Sequence, residues 1–281
     1  MVAGKRAARD RRIAAALTLA AIAAAAALGA PAAHAQDADV RPPFVSTPPE
    51  VVERMLALAG AGPGDYVIDL GSGDGRIVIA AAKLFGARGL GVDIDPRLVE
   101  VSRGNARRAG VAERAEFEER DVLRTDLSRA TVVTIYLLPS LIDRLQPKLL
   151  DELRPGARIV SHAFAMKGWK PDRVAQVRIN SPYLPQGDVS TIYLWVVLAQ
   201  ARGVWRGGDW QLRIQQNFQE IEVEAEMAGR RVALSEAKLE GSAIAFSGAG
   251  IYFRGQVAAA TIAGELTQAG RVLPISFTRV R

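Results

Sequence analysis

The sequence predicts a doubly wound α/β unit over residues 44–200 followed by a small antiparallel all-β domain over residues 201–281. Three observations predict it. Between residues 47 and 198, short apolar runs alternate with helical patterns and are joined by short loops, the signature of a parallel, doubly wound sheet. After about Gln200 the helical period vanishes and strict alternation replaces it, as in Ile221, Val223, Ala225 and Met227 against Glu222, Glu224 and Glu226. The first strand also runs straight into a glycine-rich turn that opens a helix, VIDLGSGDGR at residues 67–76.

Each element follows from its residues. Thr47-Pro48-Pro49-Glu50 opens a helix, with Thr47 read as a capping-box N-cap, the prolines in the first helical positions and Glu50 at N3. Val51, Val52, Met55, Leu56 and Ala59 give this helix one apolar stripe. Residues 66–70 form the first strand, 76–85 a helix stopped by Gly86, and 89–92 the second strand. Asp95-Pro96 caps a helix to about Ala109, closed by Gly110, and residues 115–118 form the third strand. Residues 130–138 are nearly all apolar, as in a strand buried on both faces. Ser140 and Asp143 start the next helix, which ends near Leu153 before Pro155-Gly156. Residues 158–164, 174–179 and 191–198 complete the set. Beyond residue 200, strand-like runs fall at 210–218, 220–227, 232–239, 243–246, 251–257 and 272–280, with Ala228-Gly229 as a turn. They suit a meander, a curled sheet or a small barrel.

The first 35 residues stand apart. Lys5, Arg6, Arg9, Arg11 and Arg12 precede an uncharged, alanine-rich run, and Ala33-His34-Ala35 then leads into Gln36. This is the layout of a signal peptide cleaved after Ala35, with residues 36–43 (QDADVRPP) as a linker. The competing assignment is a retained anchor, since an uncharged run of about 20 residues just spans a bilayer. Membrane contact would then run through residues 13–33 alone. Both assignments place the body outside the cytoplasm, in the periplasm or cell envelope. Without residues 1–35 the chain holds 31 basic and 29 acidic residues, a net charge of +2. The high pI is therefore no argument for a nucleic-acid partner. With no cysteine, and His34 and His162 as the only histidines, disulfides, thiolate chemistry and Cys- or His-rich metal sites are excluded.

The chemistry concentrates in residues 67–76. Asp69, Gly71, Gly73 and Gly75 follow an acid-x-G-x-G-x-G pattern at a strand end. The glycines allow a tight turn and close approach of a ligand, and Asp69 suits a ligand ammonium. A dinucleotide site would need GxGxxG, but Arg76 stands at its third glycine. The pattern therefore favours S-adenosylmethionine, contacted by Asp69, Gly71, Ser72, Gly73 and Gly75. Asp93, at the end of the second strand, is placed to accept from ribose hydroxyls, with capping of the next helix as its other reading. Ile94 would pack on the adenine, Asp121 would accept from its amino group and Val122 would lie against the ring, unless residues 120–122 are only a solvated turn.

On the acceptor side, Tyr136 and Pro139 of the segment YLLP are assigned to substrate, with core packing as the alternative for Tyr136. His162 reads as a structural histidine or a general base, and Trp169 and Tyr183 as candidates to line the pocket. No residue is assigned to catalysis outright, since proximity supplies much of the rate of methyl transfer.

The segments STPPEVVERML, VIDLGSGDGRIVIAAA, GVDIDP and IYLLP resemble those of class I methyltransferases related to the ATP-synthase c-subunit lysine methyltransferase and its prokaryotic relatives. The resemblance covers residues 44–170. It implies a seven-stranded Rossmann-like sheet and methyl transfer from S-adenosylmethionine to nitrogen, with a protein lysine or another protein or small-molecule amine as acceptor. Two other readings stay open at this point. One is an exported, non-enzymatic envelope protein that retains the S-adenosylmethionine-binding fold and binds a ligand or partner through its β domain. The other is a nicotinamide oxidoreductase.

Overall fold

The structure, a computed structural model, describes residues 45–179 and 188–280. The leader, the linker and Tyr183 lie outside the described residues. Helix α1 (Pro49–Ala59) is followed by β1 (Tyr66–Leu70), α2 (Arg76–Leu84), β2 (Arg88–Asp93), α3 (Pro96–Arg108), β3 (Ala115–Glu119) and β4 (Val132–Ile135). Then come α4 (Pro139–Glu152), β5 (Arg158–His162), β6 (Arg173–Ile179) and β7 (Asp188–Val196). The seven strands form one sheet in the order β3-β2-β1-β4-β5-β7-β6. The chain steps outward from β1 to β3, then returns to lay β4 on the other side of β1. That reversal leaves a crevice at the carboxyl ends of β1 and β4, where such sheets hold ligands.

Alternation of side chains explains how both faces are covered. Val67, Val132 and Val160 point to one face and join the core beneath α1 and α2, including Val52, Met55 and Ile77. Their neighbours Ile68, Val133 and Ile159 point to the other and pack with Ile142, Leu145 and Leu149 of α4. All four residues of β4 are buried, as the apolar run requires.

Five local expectations are corrected. The sheet is not wholly parallel, because β7 runs antiparallel to both β5 and β6. The strand expected over residues 130–138 spans only Val132–Ile135, and α4 begins at Pro139 rather than Ser140. Thr47 is no N-cap. Pro48 occupies that position without a side-chain cap bond, while Thr47 is 3% exposed and its Oγ1 lies 3.3 Å from Nδ1 of His162. A hydroxyl two residues before Pro49 is too far from the first turn to cap it. Finally, the run over 232–239 is broken at residues 233–235: Val232 ends a strand over Arg230–Val232, and the next strand is Glu236–Glu240.

The rest of the chain forms a second, antiparallel sheet: β8 (Gly203–Gly207), β9 (Trp210–Asn217), β10 (Glu220–Met227), β11 (Arg230–Val232), β12 (Glu236–Glu240), β13 (Ala243–Gly248), β14 (Ile251–Val257), β15 (Thr261–Gln268) and β16 (Arg271–Arg279). Its order is β11-β10-β9-β8-β16-β15-β14-β13-β12. The two edge strands are neighbours in sequence, so the sheet curls. Its inner face carries Leu212, Ile214, Ala225, Phe246, Phe253, Ile262 and Phe277. The alternating glutamates of β10 face outward as predicted. Both sheets belong to one compact unit that starts at Val45. They meet where the Ala199 N–H donates to the Gly241 carbonyl at 2.8 Å and where the rings of Trp169 and Phe218 stack at 5.4 Å.

Candidate active site

The turn after β1 is fixed from two sides. The Gly71 and Ser72 N–H groups both donate to the Val92 carbonyl at 2.9 Å, and the Gly73 N–H donates to Oδ2 of Asp93 at 2.9 Å. Gly71, Gly73 and Gly75 all have positive φ. At Gly75 no other residue fits: φ is +82°, and a Cβ there would lie 2.6 Å from the Phe117 ring and 2.7 Å from Ser102. Asp93 also takes the Asp95 N–H on Oδ1, while Asp95 caps α3 by accepting from the Arg97 N–H. Asp93 thus orients the turn and keeps a free lone pair on each oxygen for a ligand.

Asp69 sits at the end of β1, 2% exposed, and accepts a 2.7 Å hydrogen bond from the Thr134 hydroxyl of the adjacent strand. Burial pushes its carboxyl up to about 7, with the nearby negative charges of Asp93 and Asp74 adding to the effect and the Thr134 bond opposing it. Arg76 does not neutralise it. Its guanidinium pairs with Asp74 at 2.6 Å and donates to the Thr47 carbonyl at 2.8 Å. Among the described residues, the edge of the sheet therefore holds the buried Asp69 and the half-buried Asp93 without a matching cation. The ammonium and sulfonium of S-adenosylmethionine carry the charge that suits these acceptors.

The remaining predicted cofactor residues line the same edge. Ile94 is 52% exposed, an apolar surface beside Asp93. Asp121 accepts the Leu123 N–H at 2.9 Å, and Val122 behind it is buried. Ser72 is the exception in orientation. Its Cβ lies beside Gly91, and its buried Oγ has no hydrogen-bond partner. Its backbone is engaged within the turn, the N–H with the Val92 carbonyl and the carbonyl with the Gly75 N–H, both at 2.9 Å, so Ser72 shapes the turn.

Across the crevice, Tyr136 leaves β4 half-buried. Its ring lies 4.1 Å from the His162 ring and 6.4 Å from that of Phe164. Pro139 is exposed at the start of α4. His162 is 4% exposed, with Nε2 2.9 Å from the Ser190 hydroxyl and Nδ1 3.3 Å from that of Thr47. Burial lowers its pKa to about 4, so the ring is neutral and both nitrogens are engaged. The two engaged nitrogens support the structural reading of His162. Trp169 does not line the crevice. It is 2% exposed and stacked on Phe218. Sequence reading missed Thr134, Thr47 and Ser190, whose partners lie on strands far away in the chain. Among the described residues, no group of His, Cys, Asp or Glu side chains is arranged to hold a metal, and no helix is long and apolar enough to cross a membrane.

Residues 69–173 match the ANTKMT methyltransferase domain family. The chain is 41% identical over 157 residues to the protein-lysine N-methyltransferase of Saccharolobus islandicus, covering 55% of this chain and 93% of that protein. It is 37% identical over 132 residues to the ATP synthase c-subunit lysine N-methyltransferase of Xenopus laevis, covering 47% of this chain and 58% of that one. A solved structure, an RNA methyltransferase from Salinibacter ruber in complex with S-adenosyl-L-homocysteine, is 49% identical with a TM-score of 0.49, covering 54% of this chain and 94% of that chain. The expected family is borne out, and it selects the enzyme over the binding-protein and nicotinamide readings. The chain belongs to the same family as the Saccharolobus enzyme, and it is a class I S-adenosylmethionine-dependent methyltransferase.

Proposed function

We propose that this enzyme methylates the side-chain nitrogen of a protein lysine. The observation that carries the reading is the pairing of two unlike walls: uncompensated carboxylates on the β1–β2 side and the rings of Tyr136, His162 and Phe164 on the β4–β5 side. An aromatic wall suits the aliphatic stem and the amine of a lysine. The names of the Saccharolobus and Xenopus relatives point to the same acceptor class.

When bound, S-adenosylmethionine would supply an electrophilic methyl group for the amine nitrogen, with the thioether S-adenosylhomocysteine as leaving group. The chain's residues arrange this. Asp69, aligned by Thr134, takes the ligand ammonium. Asp93 takes the ribose hydroxyls while holding Gly73. Ile94 and Val122 cover the adenine, and Asp121 accepts its amino group. Tyr136 packs along the acceptor stem, and Pro139 borders its path. His162 holds Tyr136 in place without taking a proton, so the amine loses its proton to solvent before transfer. Rate then comes mainly from placement.

Methyl-labelled S-adenosylmethionine incubated with the enzyme and source-cell lysate tests this reading. Acid hydrolysis of the labelled protein should yield methylated lysine. Label confined to RNA, or to small molecules, would overturn it.

A further inference from the structure

Residues 201–280 lie outside the matched family domain and hold no group that the site uses. We infer that one turn of the second sheet, Phe218-Gln219, positions the acceptor face of the first, an inference that rests on Tyr136 marking that face.

The link is the loop over residues 163–172. It leaves β5 at Ala163, whose φ is +67° and whose N–H donates to the Thr191 carbonyl. The Ser161 hydroxyl then donates to the Phe164 carbonyl at 2.6 Å, which fixes the backbone there, and the Phe164 ring lies 19° from parallel to that of Tyr136. The loop's other end is held from both sheets. In the first, the Trp195 Nε1–H donates to the Trp169 carbonyl at 2.9 Å and the Asp172 N–H to the Leu194 carbonyl at 2.8 Å. The second sheet adds its own contacts. Phe218 lies flat on Trp169, 5.4 Å between centroids and 10° between planes. The Gln219 amide donates to the Lys170 carbonyl at 2.8 Å and to Asp172 at 3.3 Å.

Comparison among the turns of this sheet shows that Phe218 is not there for the turn. Ala228-Gly229, Ala249-Gly250 and Ala269-Gly270 join neighbouring strands in the same way, each with its alanine near φ +48°. Phe218 takes the same conformation, φ +51°, which is unfavourable for a bulky residue and persists where surrounding contacts hold it. The turn that carries an aromatic and an amide in place of Ala-Gly is the turn that meets the loop. Phe218 and Gln219 are thus positioning residues, acting on Phe164 and Tyr136 through Trp169 and Lys170.

The test replaces both residues at once, Phe218→Ala with Gln219→Gly, which restores the turn sequence found three times elsewhere in the sheet. Three quantities are compared with the parent enzyme: affinity for S-adenosylmethionine, the rate of limited trypsin cleavage after the exposed Lys167, and methyl transfer to poly-L-lysine. Affinity should stay unchanged and cleavage should quicken severalfold. kcat/KM for poly-L-lysine should fall roughly tenfold to a hundredfold, as expected for a displaced acceptor wall. Phe218→Trp should retain parental behaviour in all three. Unchanged cleavage would overturn the inference, as would an affinity loss as large as the loss in transfer, which would mark a general structural role. A parent enzyme that leaves poly-L-lysine unmethylated would count against the lysine reading instead, and cleavage after Lys167 would then decide the inference alone.

Discussion

The Asp93 carboxylate accepts the Gly73 N–H at 2.9 Å, so the end of β2 holds the turn that leaves β1. One side chain thus both shapes the glycine turn and faces the ribose position. Asp93→Ala removes a hydrogen-bond acceptor whose charge-assisted bonds are worth about 1.5–3 kcal/mol. Affinity for S-adenosylmethionine should drop roughly tenfold to a hundredfold in calorimetric titration. Glu53→Ala, on the exposed side of α1, serves as control and should leave affinity unchanged.

Asp69 makes cofactor binding pH-dependent. Its carboxyl is pushed from 3.8 to about 7 in the folded protein. Between those values the native state keeps a proton that the unfolded chain has lost, so Asp69 weakens folding as pH rises through this window. The ligand ammonium needs the ionised form. Affinity should therefore weaken as pH is lowered from 8 to 5.5, by up to about tenfold per unit below the pKa. Asp69→Asn should be more stable than the parent at pH 8 and should bind S-adenosylmethionine very weakly. A flat pH profile of parental affinity would contradict this.

Much of the cofactor half was legible because it is local. The string from Asp69 to Arg76, the acid at Asp93 and the cap at Asp95 are each decided within a few residues, and the structure puts each where its spacing implies. What was missed is non-local. Thr134 meets Asp69 only because the crossover lays β4 beside β1. Thr47 looked like a cap because Thr-Pro-Pro-Glu mimics one, but its hydroxyl is drawn to His162, 115 residues away. The β5–β7 direction was hidden because an apolar run reads the same both ways. Strands β8 and β15 escaped notice because Gly203, Gly207 and Gly264 look like turn signals. Trp169 looked like a pocket residue because its partner, Phe218, lies in the other sheet.

Gly75→Ala tests the shape of the turn. A Cβ there meets Phe117 at 2.6 Å, and φ is +82°. Backbone strain of about 1–3 kcal/mol adds to overpacking of similar size, about 1–3 kcal/mol. Gly110→Ala, at φ +71° with nothing within 4 Å, should show only the strain. Urea denaturation should therefore give a larger loss for Gly75→Ala than for Gly110→Ala. Equal losses would mean that Phe117 gives way.

His162 contributes to stability with the opposite pH sign. Its pKa falls from 6.5 to about 4 on folding. The contribution is fully present above pH 6.5 and is lost as pH falls through about 4. His162→Ala leaves the Thr47 and Ser190 hydroxyls without their partner and should cost about 1–3 kcal/mol at pH 7. The stability difference from the parent should shrink as pH falls from 6.5 to 4. A difference that grows over this range would show a charged native histidine.

The central claim, that the carboxyl edge of β1–β3 binds S-adenosylmethionine, is tested most directly by calorimetric titration of the purified protein with that ligand and, separately, with NAD. One equivalent of S-adenosylmethionine should bind, Asp69→Ala and Gly73→Val should abolish the signal while remaining folded, and NAD should give none. Binding of NAD in preference, or undiminished binding of S-adenosylmethionine by both variants, would contradict the account.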